Sequence, residues 1–144
     1  MFLLKIAVID GQGGGIGKRL IEKIKEKNIE NIEIIALGTN SMATAAMLKA
    51  GADIGATGEN AISVNAYKVQ VLMGPLAIVI PNSIMGEITP RISYAVGNSG
   101  ALKILIPINR CNTIIAGTTD QKLNELLEKA VDELLQYHNT MKVR

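Results

Sequence analysis

The chain has 144 residues, 48% hydrophobic, 19% charged and 3% aromatic, with a formal net charge of +2. That length and apolar content describe one folded domain with a substantial core, and they exclude a disordered chain. The weak charge and only four aromatic side chains (Phe2, Tyr67, Tyr94 and Tyr137) argue against a nucleic-acid binder, which needs a basic field and stacking rings.

The single cysteine, Cys111, permits no intramolecular disulfide and suits a reducing compartment. No run approaches the ~20 apolar residues that span a bilayer, and residues 2–9 lack the pattern of a secretory signal. The sequence therefore reads as a cytoplasmic protein with no membrane partner.

Residues 3–9 are apolar except for Lys5, as expected of a strand buried on both faces. Asp10, Gly11, Gln12, Gly13, Gly14, Gly15, Ile16 and Gly17 follow, then an amphipathic run through Asn28. Ile16, Leu20, Ile21 and Ile24 share its apolar face. Strand, glycine loop and helix form the geometry that holds a phosphate against a helix N-terminus.

Residues 32–37 predict a second strand. Gly38, Thr39, Asn40 and Ser41 form a turn, with Ser41 as N-cap of a helix over 42–50 and Gly51 as its C′ residue. Residues 52–67 fit either helix or strand periodicity; a short helix over 59–67 is preferred, because a parallel sheet needs a crossover before the next strand. Residues 69–73 predict a third strand.

The following run, 76–80, is either a bent continuation past Gly74 and Pro75 or a separate buried segment, since a central strand does not accept Pro75. Thr89 and Pro90 read as N-cap and N1 of a helix to Val96, with an earlier start near Ile84 as the competing reading. Residues 102–108 predict a fourth strand. The turn at Asn109, Arg110, Cys111 and Asn112 predicts an antiparallel edge hairpin with residues 113–116. Thr118 and Gln121 have capping-box spacing before a long amphipathic helix, and residues 137–144 read as a frayed polar tail. Together these elements predict an α/β, three-layer Rossmann-like sandwich with a mostly parallel sheet and one antiparallel hairpin.

Ligands of such sheets bind at the carboxyl ends of the strands. The candidate binding residues are therefore Asp10 to Gly17 individually as named above, Thr39, Asn40 and Ser41, with Asn109 and Arg110 as a second cluster. Asp10 serves either the ligand or an Asx-type bond to the loop backbone. Glu59, Asn60 and Glu87 are further acid–base or ribose-binding candidates. Cys111 has one possible His partner, His138, expected on a polar surface. One His and one Cys do not make an ordinary zinc site.

The loop fails G-x-G-x-x-G spacing but fits G-x-x-x-G-x-G from Gly11 to Gly17, which resembles the cofactor loop of the short-chain dehydrogenases. The resemblance stops after the first βαβ unit. The second strand ends in neutral Gly38, so ordinary NAD recognition is disfavoured; Thr39, Asn40 and Ser41 either meet the 2′-phosphate of NADP or cap the helix. No Tyr is followed four residues later by Lys, so that family's catalytic pair is absent. A Walker A reading fails because Gln12 and Arg19 stand at the first Gly and the Ser/Thr positions.

Across nearly the whole chain the sequence resembles a family of short bacterial proteins known only as a domain of unknown function. The matching segments are residues 9–17, 36–40, 55–61, 86–90 and 104–112. The resemblance implies a Rossmann-like fold and no established activity. The leading functional expectation is a sensor or carrier that binds a phosphate-bearing small molecule, NADP or another nucleotide. The alternatives are an enzyme on a small phosphorylated substrate and a ligand-free assembly subunit. A homo-oligomer is expected under each.

Overall fold

The computed structural model describes residues 2–108, 112–118 and 121–142. Strands β1 (Leu4–Asp10), β2 (Ile32–Gly38), β3 (Ile54–Thr57), β4 (Val71–Pro75) and β5 (Leu102–Ile106) form one sheet in the order β3-β2-β1-β4-β5. Every neighbouring pair is parallel. Helices α1 (Gly15–Glu26), α2 (Ser41–Lys49), α3 (Glu59–Asn65), α4 (Pro90–Asn98) and α5 (Leu123–Lys142) provide the crossovers and cover the sheet.

The alternation of β1 splits the core into two. Leu4, Ile6 and Val8 pack with Leu20, Ile21 and Ile24 of α1 and with Leu127, Val131 and Leu134 of α5. Ala7 and Ile9 point the other way, toward Ile62 of α3 and Ile92 and Val96 of α4. A central strand buried on both faces is continuously apolar for this reason. The three-layer α/β sandwich expected from the sequence is the fold observed.

Several local expectations are corrected. Ile54–Thr57 is an edge strand that the residue pattern does not announce: only four residues long and mostly exposed, it owes its conformation to pairing with residues 35–38 of β2. The predicted antiparallel hairpin is not seen. β5 pairs in parallel with β4, and the apolar Ile114 is exposed rather than paired across the sheet; the turn residues Asn109, Arg110 and Cys111 lie outside the described residues.

Pro75 does sit in β4, as its last residue. β1 pairs with β4 only as far as Met73, so the amide that Pro75 lacks is not needed on that side. Residues 76–79 then leave the strand as a short 3-10 turn, a separate buried segment. Asn40, not Ser41, caps α2: its Oδ1 accepts from Ala43 N at 2.9 Å. Thr89 caps α4 as expected, with Pro90 in the first turn.

Thr118 does not cap α5, which begins at Leu123; its hydroxyl donates instead to Ile115 O. The supposed polar tail continues as the last turns of α5. His138 is buried there, its Nε2 is 2.9 Å from Glu30 O, and its ring packs against Phe2. Glu30 precedes β2, so His138 stands at the amino edge of the sheet, far from the glycine loop.

Candidate functional site

β1 delivers the chain to the carboxyl edge of the sheet at Asp10, and residues 11–14 turn it into α1. The turn closes through Gly14 N to Gly11 O at 2.9 Å, with Gln12 at φ 48° and Gly14 at φ 72°. Gly14 is the N-cap of α1 but has no side chain with which to cap it.

Asp10 does that work from the strand end. Its buried carboxylate accepts from Gly11 N at 2.8 Å through Oδ1 and from Gly17 N at 2.7 Å through Oδ2. It therefore satisfies the Gly17 amide, which the helix start leaves unpaired, and the Gly11 amide of the turn. Burial pushes the Asp10 carboxyl above its ordinary range; hydrogen bonds from Gly17, Gly11 and Ile16 pull it down without cancelling that effect, and the nearby Glu87 charge adds to the rise. The Asx-type bond to the loop backbone expected for Asp10 is in place.

A second carboxylate holds the loop from outside. Residues 80–89 arch back over the sheet edge and place Glu87 Oε1 within reach of three donors. Gln12 N donates at 2.9 Å, Thr39 Oγ1 at 2.6 Å and Asn40 Nδ2 at 3.0 Å. Desolvation raises the Glu87 carboxyl, but the bonds from Thr39, Gln12 and Asn40 together outweigh it, so the group is held below its ordinary range. The arch is strained: Ile84 and Met85 have φ of 53° and 54°, a left-handed conformation that costs a non-glycine residue about 1–3 kcal/mol. Met85 is 91% exposed at its tip.

Between loop and arch lies a cleft of about 680 Å³. Asp10, Gly11, Gln12, Gly13, Gly14, Gly15 and Ile16 form its floor, with Arg19, Ile84, Met85 and Leu123 around them. It opens where connections from β1 and β4 run in opposite directions along the sheet, the switch point at which α/β sheets take ligands.

The loop glycines divide by what a Cβ would meet. At Gly11 it would lie 2.9 Å from Glu87 Oε1 and Thr39 Oγ1; at Gly14, 2.9 Å from Ala43 backbone atoms; at Gly17, 2.6 Å from Met47 Sδ. Each is small because the protein itself fills the space. Gly13 and Gly15 meet nothing within 4 Å and neither has a positive φ. Both are exposed, and none of the described residues accepts from their amides.

The structure thus brings Asp10 to Ile16 into one cleft, with Gly17 just behind on Asp10. Thr39 and Asn40 meet the loop through Glu87 and directly, Thr39 N donating to Asp10 O and Asn40 Nδ2 to Gln12 O, each at 3.0 Å, but they do not line the cleft, and Ser41 is exposed at the start of α2. Asn109 and Arg110, like Cys111, lie outside the described residues. Glu59 and Asn60 join α4 instead: Arg91 Nη2 donates to Asn60 Oδ1 at 2.9 Å, and Arg91 Nη1 lies 3.6 Å from Glu59 Oε1. Sequence reasoning missed Arg19, Ile84, Met85 and Leu123 as lining residues. Arg19 had a signal, since one turn into the helix it faces the loop; the others depend on how distant segments pack.

Among the described residues no helix is long and apolar enough to cross a membrane. No curated protein matches the sequence. The family model for a domain of unknown function (DUF3842) matches residues 5–139, and the chain belongs to that family.

Proposed function

We propose that the protein binds a nucleotide or another phosphate-bearing small molecule in the cleft over the glycine loop, as a sensor or carrier. The observation that carries this reading is the pair Gly13 and Gly15. Glycine costs backbone entropy on folding, about 0.5–1 kcal/mol relative to alanine in regular structure. Neither position needs glycine for its φ or its packing, whereas an anion approaching the two open amides does need it. Arg19 beside them supplies a cation for the same group.

A purely structural assembly subunit leaves those two glycines without a reason. Self-association is compatible with ligand binding and is supported by exposed Met42, Leu48 and Ile54 on α2 and the β3 edge; sedimentation velocity measures it. The lone Cys111 supports a cytoplasmic setting.

The test is a thermal-shift panel of NAD, NADP, ATP, GTP, FMN and coenzyme A. A ligand present at about 100 times its Kd stabilises the fold by ~2.7 kcal/mol. The Gly15→Asp variant should fold and lose that shift. If no member of the panel raises the wild-type melting temperature, the reading is wrong.

A further inference from the structure

We propose that the cleft takes a single phosphate joined to a flat or apolar body lying over the gap between β1 and β4, and that Glu87 determines this specificity by closing the β2 side. The proposal rests on the phosphate reading above and narrows its ligand class.

A dinucleotide in a doubly wound sheet runs past the end of the second strand, where a ribose is met by side chains. Here those side chains are already engaged. Thr39 Oγ1 donates to Glu87 Oε1 at 2.6 Å. Asn40 Nδ2 donates to the same oxygen and to Gln12 O, both at 3.0 Å, while Asn40 Oδ1 accepts from Ala43 N. Glu87 Oε1 comes so near the loop that a Cβ at Gly11 would lie 2.9 Å from it, so no slot separates clasp from loop. Nothing can pass from the cleft to the end of β2 without breaking this knot.

The donor supply sets the second limit. Among the described residues the donors left at the cleft are Gly13 N, Gly15 N and Arg19; the Glu87 carboxylate closes the β2 side, and the Asp10 carboxylate lies buried against Gly11 N and Gly17 N. Two amides and one guanidinium suit one phosphate group; a second or third phosphate would meet the carboxylates instead. Among the described residues the remaining lining is apolar: Ile16, Ile84, Met85 and Leu123 offer hydrocarbon to a ring or an aliphatic body. Met85, nearly fully exposed on the strained arch, is placed to lose that exposure when the body is bound.

The experiment titrates wild-type protein with FMN, AMP, NADP and ATP by calorimetry and maps the amides that respond by ¹H–¹⁵N NMR. FMN or AMP is expected to bind at least about tenfold more tightly than NADP and ATP, a difference of ~1.4 kcal/mol. Responses should fall on Gly13, Gly15 and Met85 and spare Thr39 and Asn40. In Glu87→Ala the preference over NADP should shrink to about threefold or less, whereas Glu87→Gln, which keeps an acceptor and the bulk, should retain it. NADP or ATP binding as tightly as the monophosphates, or responses at Thr39 and Asn40, overturns the proposal and leaves the phosphate reading standing. An unchanged preference in Glu87→Ala overturns the role given to Glu87. Failure of all four compounds to bind overturns both readings.

Discussion

A Cβ at Gly14 would lie 2.9 Å from the backbone of Ala43, whereas a Cβ at Gly13, one residue earlier, would meet nothing within 4 Å. The inner side of the loop, Gly11, Gly14 and Gly17, is shaped by the protein: by Glu87 and Thr39, by α2, and by Met47 with Asp10. The outer side, Gly13 and Gly15, is shaped by none of the described residues. Residues that look alike in one motif therefore answer to different constraints, folding on one side and ligand approach on the other. The same division separates the two carboxylates. Asp10 is buried and holds the loop from within, and Glu87 grips it from outside.

The largest effect is expected at Gly14. Gly14→Ala forces a left-handed alanine, at about 1–2 kcal/mol, and drives its Cβ into α2, at about 1–3 kcal/mol more. Urea unfolding should show a loss of ~2–5 kcal/mol; a loss under about 0.5 kcal/mol would erase the distinction between the two sides. Asp10→Ala comes next. It strands the buried amides of Gly11 and Gly17, and the same assay should read a loss of about 1–3 kcal/mol.

Glu87→Gln keeps one acceptor but removes the charge from three hydrogen bonds, for an expected loss of about 0.5–1.5 kcal/mol at neutral pH. The pH dependence then distinguishes inside from outside. Glu87 is held below its ordinary 4.5, so its stabilisation is complete above that value and fades as pH falls through the lowered folded pKa. Asp10 is raised above its ordinary 3.8, so its contribution is complete below 3.8 and is lost as pH rises through the raised folded pKa. The stability deficits of Glu87→Gln and Asp10→Asn relative to wild type should thus run in opposite directions with pH. Parallel trends would contradict the separate environments.

The smallest effects on folding belong to the outer side. Gly13→Ala and Gly15→Ala should each stay within about 1 kcal/mol of wild type, because the space is open and the backbone ordinary. Chemical denaturation checks this, and a loss above about 2 kcal/mol at either position would mean that the fold needs these glycines after all. Arg19→Ala should leave stability within about 0.5 kcal/mol. Calorimetry should show all three variants binding the wild-type ligand at least about tenfold more weakly.

Much of this was legible before any coordinates. Periodicity located α1 and α5, continuous apolar runs located β1, β2 and β4, and glycine spacing located the loop. What failed to show was non-local. β3 has four residues, three of them exposed, and no alternation, and only pairing with β2 makes it a strand. Residues 113–116 have strand-like composition yet do not join the sheet. His138 falls by sequence within the polar stretch 137–144, but the length of α5 carries it into contact with Phe2 and Glu30 O.

The site divides in the same way. The sequence by itself determined that residues 10–17 connect a buried strand to a helix through glycines, because that depends on local backbone freedom and on hydrophobic period. It also offered Glu87, without a place for it. Only the tertiary structure decided which glycines are spoken for, that Asp10 turns inward to cap α1, and that an arch 75 residues beyond Gln12 brings Glu87 onto its amide. Those outcomes depend on distances between segments remote in sequence, and packing alone fixes such distances.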